Sequence, residues 1–283
     1  MQAHNIHSRD FQDFRYVYPV LSRRAGGISI GINLSPHKAC NFDCLYCQVD
    51  RSAGLGKRNT FDEEVLAQEL ISLITLVQNG ELFDLPPFTD TPQKLRRLND
   101  IALSGDGEPS AESCFLPVCK SLQKWHKDFN LQGVKLILIS NSTLFHKAHV
   151  QEGIDALYAC GGEVWAKLDA GTEDYYKSID KSSIPFGRIL ENITLLGKKH
   201  EIIIQTLFTR LQGALPSNEE ISAFGERLND FLQNDARINH VQIHTVARQP
   251  ASPLVEKIDE ANLNDIAQTL RKQVPLEFRV YPG

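Results

Sequence analysis

The chain contains no run of about 18 apolar residues, which leaves it without a candidate membrane-spanning helix. Its first ten residues, Met1–Asp10, are polar and lack the apolar stretch of a secretory signal. Positive charge is not in excess: 30 Lys and Arg against 35 Asp and Glu leave a net charge of −5. A general attraction to a nucleic-acid backbone is therefore not expected. No disulfide framework is evident, because three of the six cysteines fall within eight residues. That usage suits a reducing compartment, and a cytoplasmic location is expected. Internal repeats beyond a strand–helix unit and low-complexity tracts are also missing.

What is present is a chain of 283 residues, 42% of them hydrophobic, enough to bury a sizeable core. That length exceeds an ordinary single domain but lies within the reach of an undivided α/β barrel. Local basic groups occur at Arg23-Arg24, Arg51 with Lys57-Arg58, Lys94 with Arg96-Arg97, and Lys198-Lys199-His200. They read as solvated surface, and an RNA partner stays open without being favoured.

The densest chemistry lies in Cys40–Cys47, Cys-Asn-Phe-Asp-Cys-Leu-Tyr-Cys, with spacing C-x3-C-x2-C. Three thiolates from one tight loop can hold three irons of a [4Fe–4S] cubane. With no fourth cysteine in the run, one iron stays open for a small molecule, as a catalytic centre requires. The same residues allow a structural Cys3His zinc site with His37 as fourth ligand. Cys114, Cys119 and Cys160 form no ligand-like group and read as small apolar residues.

Around this loop the chain alternates strands and helices. A polar, aromatic extension, 1–27, carries Phe11, Phe14, Tyr16 and Tyr18 ahead of Pro19. Strands are expected over 28–33, 100–104, 134–139, 163–168, 201–208 and 240–245, with helices between them. Apolar spacing predicts the first helix over 62–77, and the proline-rich 81–98 predicts a loop or lid. Residues 274–283 are expected to be an extended tail. Six βα units imply a parallel sheet. They fall short of the eight of a closed barrel, whose chemistry collects at the carboxyl ends of the strands.

Polar groups stand at those ends. Gly105-Asp106-Gly107-Glu108-Pro109 follows the second strand, Asn141 the third and Asp169 the fourth. Asn141 and Asp169 are also preferred helix N-cap residues. Gln205 shares a strand face with Leu207, and Gln242 with His244. Such inward polar groups serve either a ligand or a satisfied core network. Arg248, just past the sixth strand, suits carboxylate or phosphate recognition. Period two puts Lys167 on the face of Asp169, one layer deeper. Its ammonium must pair with an acid such as Glu163 or Glu201, or face the substrate, binding a carboxylate or forming a Schiff base.

Ile32–Arg51 (INLSPHKACNFDCLYCQVDR), Leu103–Pro109 (LSGDGEP), Leu168–Gly171 (LDAG) and Val241–Pro250 (VQIHTVARQP) together resemble radical S-adenosylmethionine (radical SAM) proteins of the wyosine-synthase-like group. The resemblance implies an α/β fold with parallel strands, a partial, TIM-like (β/α)6 barrel. It implies that Cys40, Cys44 and Cys47 hold the cluster and that its open iron chelates S-adenosylmethionine. Reductive cleavage would then release a 5′-deoxyadenosyl radical that abstracts hydrogen from a substrate. An electron donor such as flavodoxin or ferredoxin is implied as a partner. The resemblance places Gly105, Asp106, Gly107 and Glu108 in the motif that binds the methionine amino group, with Asp106 as a departure from the usual small residue. It sets Tyr46 beside the adenine, and Asn141 and Asp169 near the ribose and methionine carboxylate. Members that build the tricyclic tRNA base carry a second cluster on upstream cysteines, and here no cysteine precedes Cys40. The substrate is thus left unassigned, with a tRNA-modifying enzyme and a zinc-stabilised nucleic-acid-binding protein as the other readings.

Overall fold

The computed structural model describes residues 11–22, 26–52, 54–57, 60–248, 250 and 252–282. The polar start, Arg23-Arg24 and Arg58 lie outside them. The chain divides into two compact units. The first comprises residues 1–40, 54–139 and 149–163, and the second residues 41–53, 140–148 and 164–283.

The first unit holds β1 (Val17–Ser22), β2 (Gly27–Ile32), α1 (Glu63–Gln78), β3 (Leu98–Leu103), α2 (Phe115–Asp128), β4 (Lys135–Ser140) and α3 (Ala148–Tyr158). Strands follow one another in the order β1-β2-β3-β4, with β2, β3 and β4 parallel. Helix α1 forms where expected. The Asp62 carboxylate accepts the N–H groups of Glu64 and Val65, and Leu66, Leu70, Leu73, Ile74 and Val77 face the core at helical spacing. The proline-rich stretch carries two short 3-10 turns, Glu81–Asp84 and Gln93–Leu95.

The aromatic extension contributes a strand, β1, for which no separate expectation was made. It pairs antiparallel with β2 along six residues, Val17 with Ile32 through Ser22 with Gly27. Tyr18 stands opposite Gly31, and its ring covers that glycine so closely that any Cβ there would collide with it. The Tyr18 hydroxyl reaches Ser104 Oγ at 3.1 Å, tying β1 to the end of β3. On the buried face of α1, Glu69 accepts the N–H groups of Arg15 (2.6 Å), Tyr16 (2.8 Å) and Val17 (3.2 Å).

The second unit holds β5 (Glu163–Lys167), α4 (Glu173–Ile179), α5 (Phe186–Lys199), β6 (Ile202–Leu207), β7 (Arg210–Leu211), α6 (Asn218–Gln233), β8 (Ile238–His244), β9 (Val255–Glu256), α7 (Glu260–Gln273) and β10 (Phe278–Tyr281). Its parallel strands run in the order β5-β6-β8-β10. All six residues of β6 are buried, as a strand covered on both faces should be. The extended piece after α7 pairs with β8 as β10. A short ribbon, β7 with β9, lies outside that sheet. Among the described residues no helix is long and apolar enough to cross a membrane.

Candidate functional site

In the first unit, β2 ends at Ile32 and the chain runs directly towards Cys40. Asn33 organises the turn: its Oδ1 accepts the N–H of Ser35 (3.0 Å) and of Asp106 (3.1 Å), while its Nδ2 donates to Asp106 Oδ2 at 2.6 Å. Asp106, the departure from the small-residue pattern, is thus committed to the segment that leads into the cysteines. Gly107 explains its own identity. A Cβ there would drive into the carbonyl oxygen of Ala39 and come within 2.8 Å of Ser35 Cβ. Gly105 precedes this pair at the end of β3. Glu108 is buried and caps the 3-10 turn Pro109–Ala111 by accepting from Ser110 N (3.1 Å) and Ser110 Oγ (2.5 Å). His37 is buried too, with Nε2 3.5 Å from Glu112 Oε1, the same oxygen that accepts Ser35 Oγ at 2.8 Å.

In the second unit, Cys44 and Cys47 stand among charges. Cys44 Sγ donates to Asp180 Oδ1 at 3.4 Å, and Arg51 Nη1 donates to Cys47 Sγ at 3.3 Å. Burial, followed by the Asp180 charge, raises the Cys44 thiol well above its ordinary value. Tyr46 Oη lies 2.5 Å from Asp169 Oδ2 and 2.9 Å from Asp180 Oδ1, so its one proton is shared between two carboxylates. Burial, then the Asp169 charge, push Asp180 up to about 7. Tyr46 is only 8% exposed and packs with Ile179, Leu207, Val246 and Val255. Its ring serves the core as well as the loop.

Asp169 binds with both oxygens. Oδ1 accepts Leu207 N at 2.7 Å, and Oδ2 meets Lys167 Nζ at 3.1 Å. It does not cap α4, whose N-cap is Thr172. Lys167 shares a face with Asp169 as expected, but its partner is that neighbour. Glu163 instead binds Lys135 (2.8 Å) and Glu201 accepts from Asn239 (2.8 Å), since both stand at the opposite ends of their strands. The Lys167 ammonium also sits 5.0 Å from the centre of the Tyr46 ring. Burial works against its charge, yet Asp169, Cys44 and Asp180 outweigh that and raise its pKa.

Lys167, Gln205 and Gln242 are aligned across β5, β6 and β8, and Gln205 Nε2 donates to Gln242 Oε1 at 3.3 Å. His244 pairs in register with Leu207 one layer nearer the strand ends. Arg248 Nη1 donates to Gln48 Oε1 at 3.0 Å, beside Cys47. Asn141 caps no helix, because α3 begins at Ala148. Its Nδ2 donates to Asn41 Oδ1 at 2.6 Å, and its Oδ1 accepts Thr143 Oγ1 at 2.8 Å. Asn41 returns a bond to Thr143 at 2.8 Å. The residues sequence reading missed here are Asp180 and Asn41. Asn41 carried one usable signal, its place beside a cysteine.

None of the cysteines is in a disulfide, and Cys40, Cys44 and Cys47 are half-buried. Cys114 and Cys119 are buried, as small apolar residues would be. Among the described residues no group of three His, Cys, Asp or Glu stands in metal-holding geometry.

No known protein-family model matches the chain. It is similar to a UPF0026 protein of Helicobacter pylori (strain J99), 28% identical over 249 residues, spanning 87% of this chain and 70% of that protein. A UPF0026 protein of Methanocaldococcus jannaschii is 26% identical over 228 residues, 78% of this chain and 61% of its own length. Among solved structures, a radical SAM methyltransferase from Sphaerobacter thermophilus aligns with a TM-score of 0.59 at 14% identity, covering 94% of this chain and 70% of that one. That likeness shows the fold, the α/β partial-barrel class with parallel strands.

Proposed function

We propose that the chain is a radical SAM enzyme in which Cys40, Cys44 and Cys47 hold a [4Fe–4S] cluster and its fourth iron takes S-adenosylmethionine. The observation that carries the reading is positional. The cysteine loop follows β2, the Gly105–Glu108 turn follows β3, Asn141 follows β4, Asp169 follows β5 and Arg248 follows β8. Each of these five groups therefore leaves the carboxyl end of a parallel strand, where α/β folds place their ligands.

The donor set fits such a cluster. Three thiols free of disulfides are the soft ligands that iron–sulfur centres use. The guanidinium of Arg51 donates a hydrogen bond to the Cys47 sulfur at 3.3 Å. When bound, the cluster would supply one electron to the sulfonium of S-adenosylmethionine, whose C5′–S bond would break to leave methionine and the 5′-deoxyadenosyl radical.

The chain's own residues do the holding. Asp106 and Gly107 seat the turn after β3 against the segment entering Cys40. Asn141 and Thr143 hold Asn41, and Gln48 binds Arg248, from the two sides of the cysteine run. Glu108, Asn141, Asp169, Gln205, His244 and Arg248 are the polar groups assigned to cofactor and substrate, with Lys167 balancing the carboxylates. The substrate stays unassigned, and the reductant is a one-electron carrier of the flavodoxin or ferredoxin kind. The acidic net charge gives tRNA no advantage over other substrates.

The test is anaerobic reconstitution with iron and sulfide, then incubation with S-adenosylmethionine and dithionite. One cluster per chain and 5′-deoxyadenosine as product are expected, both lost in Cys44→Ala. A zinc-only protein, or full activity in that variant, refutes the proposal.

A further inference from the structure

Residues Asn41–Tyr46 are gripped one after another by a single short stretch, Tyr176–Ser182, at and beyond the end of α4. The backbone holds the odd positions. Ser182 Oγ donates to Asn41 O at 3.5 Å, Asp43 N to Asp180 O at 3.2 Å, and Leu45 N to Ile179 O at 2.8 Å. Side chains hold the even positions. The Phe42 ring meets Tyr176 edge-on at 5.8 Å, and Cys44 Sγ and Tyr46 Oη both reach Asp180 Oδ1. Backbone and side-chain contacts thus alternate along the segment up to the turn that Cys47 N closes on Cys44 O at 2.9 Å. Asp180 is the residue common to both sets, and it is 2% exposed.

We infer that Asp180 is a positioning residue for the cysteine loop: in the metal-free protein one of its oxygen atoms sets the direction of both the Cys44 thiol and the Tyr46 hydroxyl, and once the thiol gives up its proton to bind iron, the Tyr46 bond and the backbone bonds to Ile179 and Asp180 keep the loop's course. A carboxylate or carboxamide oxygen can accept two donors at once, which neither a hydroxyl nor an apolar side chain of that size does as well. The stretch that supplies it is anchored at its other end. Glu220, buried on α6, accepts the N–H groups of Gly171 (2.5 Å) and Thr172 (3.1 Å) at the start of α4. The helix is thus held at its entry and grips the cysteine loop at its exit. The spectroscopic part of the inference rests on the cluster proposed above, and the structural part on the protein alone.

The experiment compares wild type, Asp180→Ala and Asp180→Asn by hydrogen–deuterium exchange of the metal-free protein and by paramagnetic resonance of the reduced, reconstituted protein. In Asp180→Ala the amides of Asp43 and Leu45 should exchange roughly tenfold faster, with α2 unchanged. The cluster signal of that variant should broaden or split into more than one species. Asp180→Asn keeps the accepting oxygen and should restore both the slow exchange and the single signal. Should Asp180→Ala fail to fold, Tyr46→Phe removes only the hydroxyl and should still quicken exchange of the same amides. Wild-type exchange in Asp180→Ala or in that substitute overturns the inference, as does an Asp180→Asn variant as loose as the alanine one. A wild-type protein that takes up no iron would sink the proposed function and leave the exchange data to decide this inference.

Discussion

Replacing Lys167 by methionine tests the charge balance of the second unit directly. The side chain keeps its length and apolar stem, so the change removes the ammonium and little else. Lys167 Nζ lies 3.1 Å from Asp169 Oδ2, with side-chain exposures of 18% and 2%. At an effective dielectric of about 20, opposite unit charges at that distance attract by about 5 kcal/mol. Desolvation offsets part of this. Removing one partner of a buried pair costs about 3–5 kcal/mol, because the other charge stays behind. The partial exposure of the lysine lowers the expected loss to about 2–3 kcal/mol, read as a shift in the urea midpoint. Combining Lys167→Met with Asp169→Asn isolates the pair, and a coupling of about 2 kcal/mol is expected. The dependence on pH has a definite sign. The folded pKa of Lys167 is raised, so its contribution is fully present below the unfolded value of about 10.4 and is lost as pH rises through the folded value. The gap between wild type and Lys167→Met should hold through about pH 8–10 and close only at stronger alkalinity. A coupling below about 0.5 kcal/mol, or a gap that closes before pH 10, refutes the assignment.

Two further outcomes follow from close contacts. Gly107→Ala should cost about 1–3 kcal/mol by overpacking against the Ala39 carbonyl and should lower iron uptake, since Ala39 adjoins Cys40. A wild-type melting curve would show that the turn moves freely. Glu220→Ala leaves Gly171 N, Thr172 N and Thr172 Oγ1 without their acceptor and should destabilise by about 3 kcal/mol or more, with Glu220→Gln recovering part. Equal denaturation midpoints for the two variants would contradict that account.

Local features were the legible ones. A strand followed by a polar turn can be read without knowing what packs on it, so the positions of the Cys40, Gly105, Asn141 and Asp169 groups at strand ends were visible. Period two also put Lys167 on the face of Asp169, but it did not name the partner. Glu163 and Glu201 begin their strands, whereas the ammonium reaches forward to the residue just past its own strand. Strand β1 was hidden because nothing local defines it. Pro19 interrupts its pattern, and only the register with β2 reveals a strand that tolerates proline at an edge. Asp180 gave no signal for a related reason. It lies 136 positions from Cys44, in a stretch that looks like any turn after a helix. The helix-cap alternatives for Asn141 and Asp169 failed on boundaries, which sequence patterns locate least well.

The bonds of Glu69 bear on how copies of this chain behave towards one another. A terminal strand such as β1 presents unused backbone groups, a template on which a neighbouring chain can add a strand and start an aggregate. Here the first donors leading into and opening that strand already belong to the Glu69 carboxylate, and Pro19 has no N–H to offer. Of the outward donors of that rim, Val17 is thus spent on a helix of the same chain and Pro19 has none to give, which makes this stretch of the edge a poorer template for an added strand.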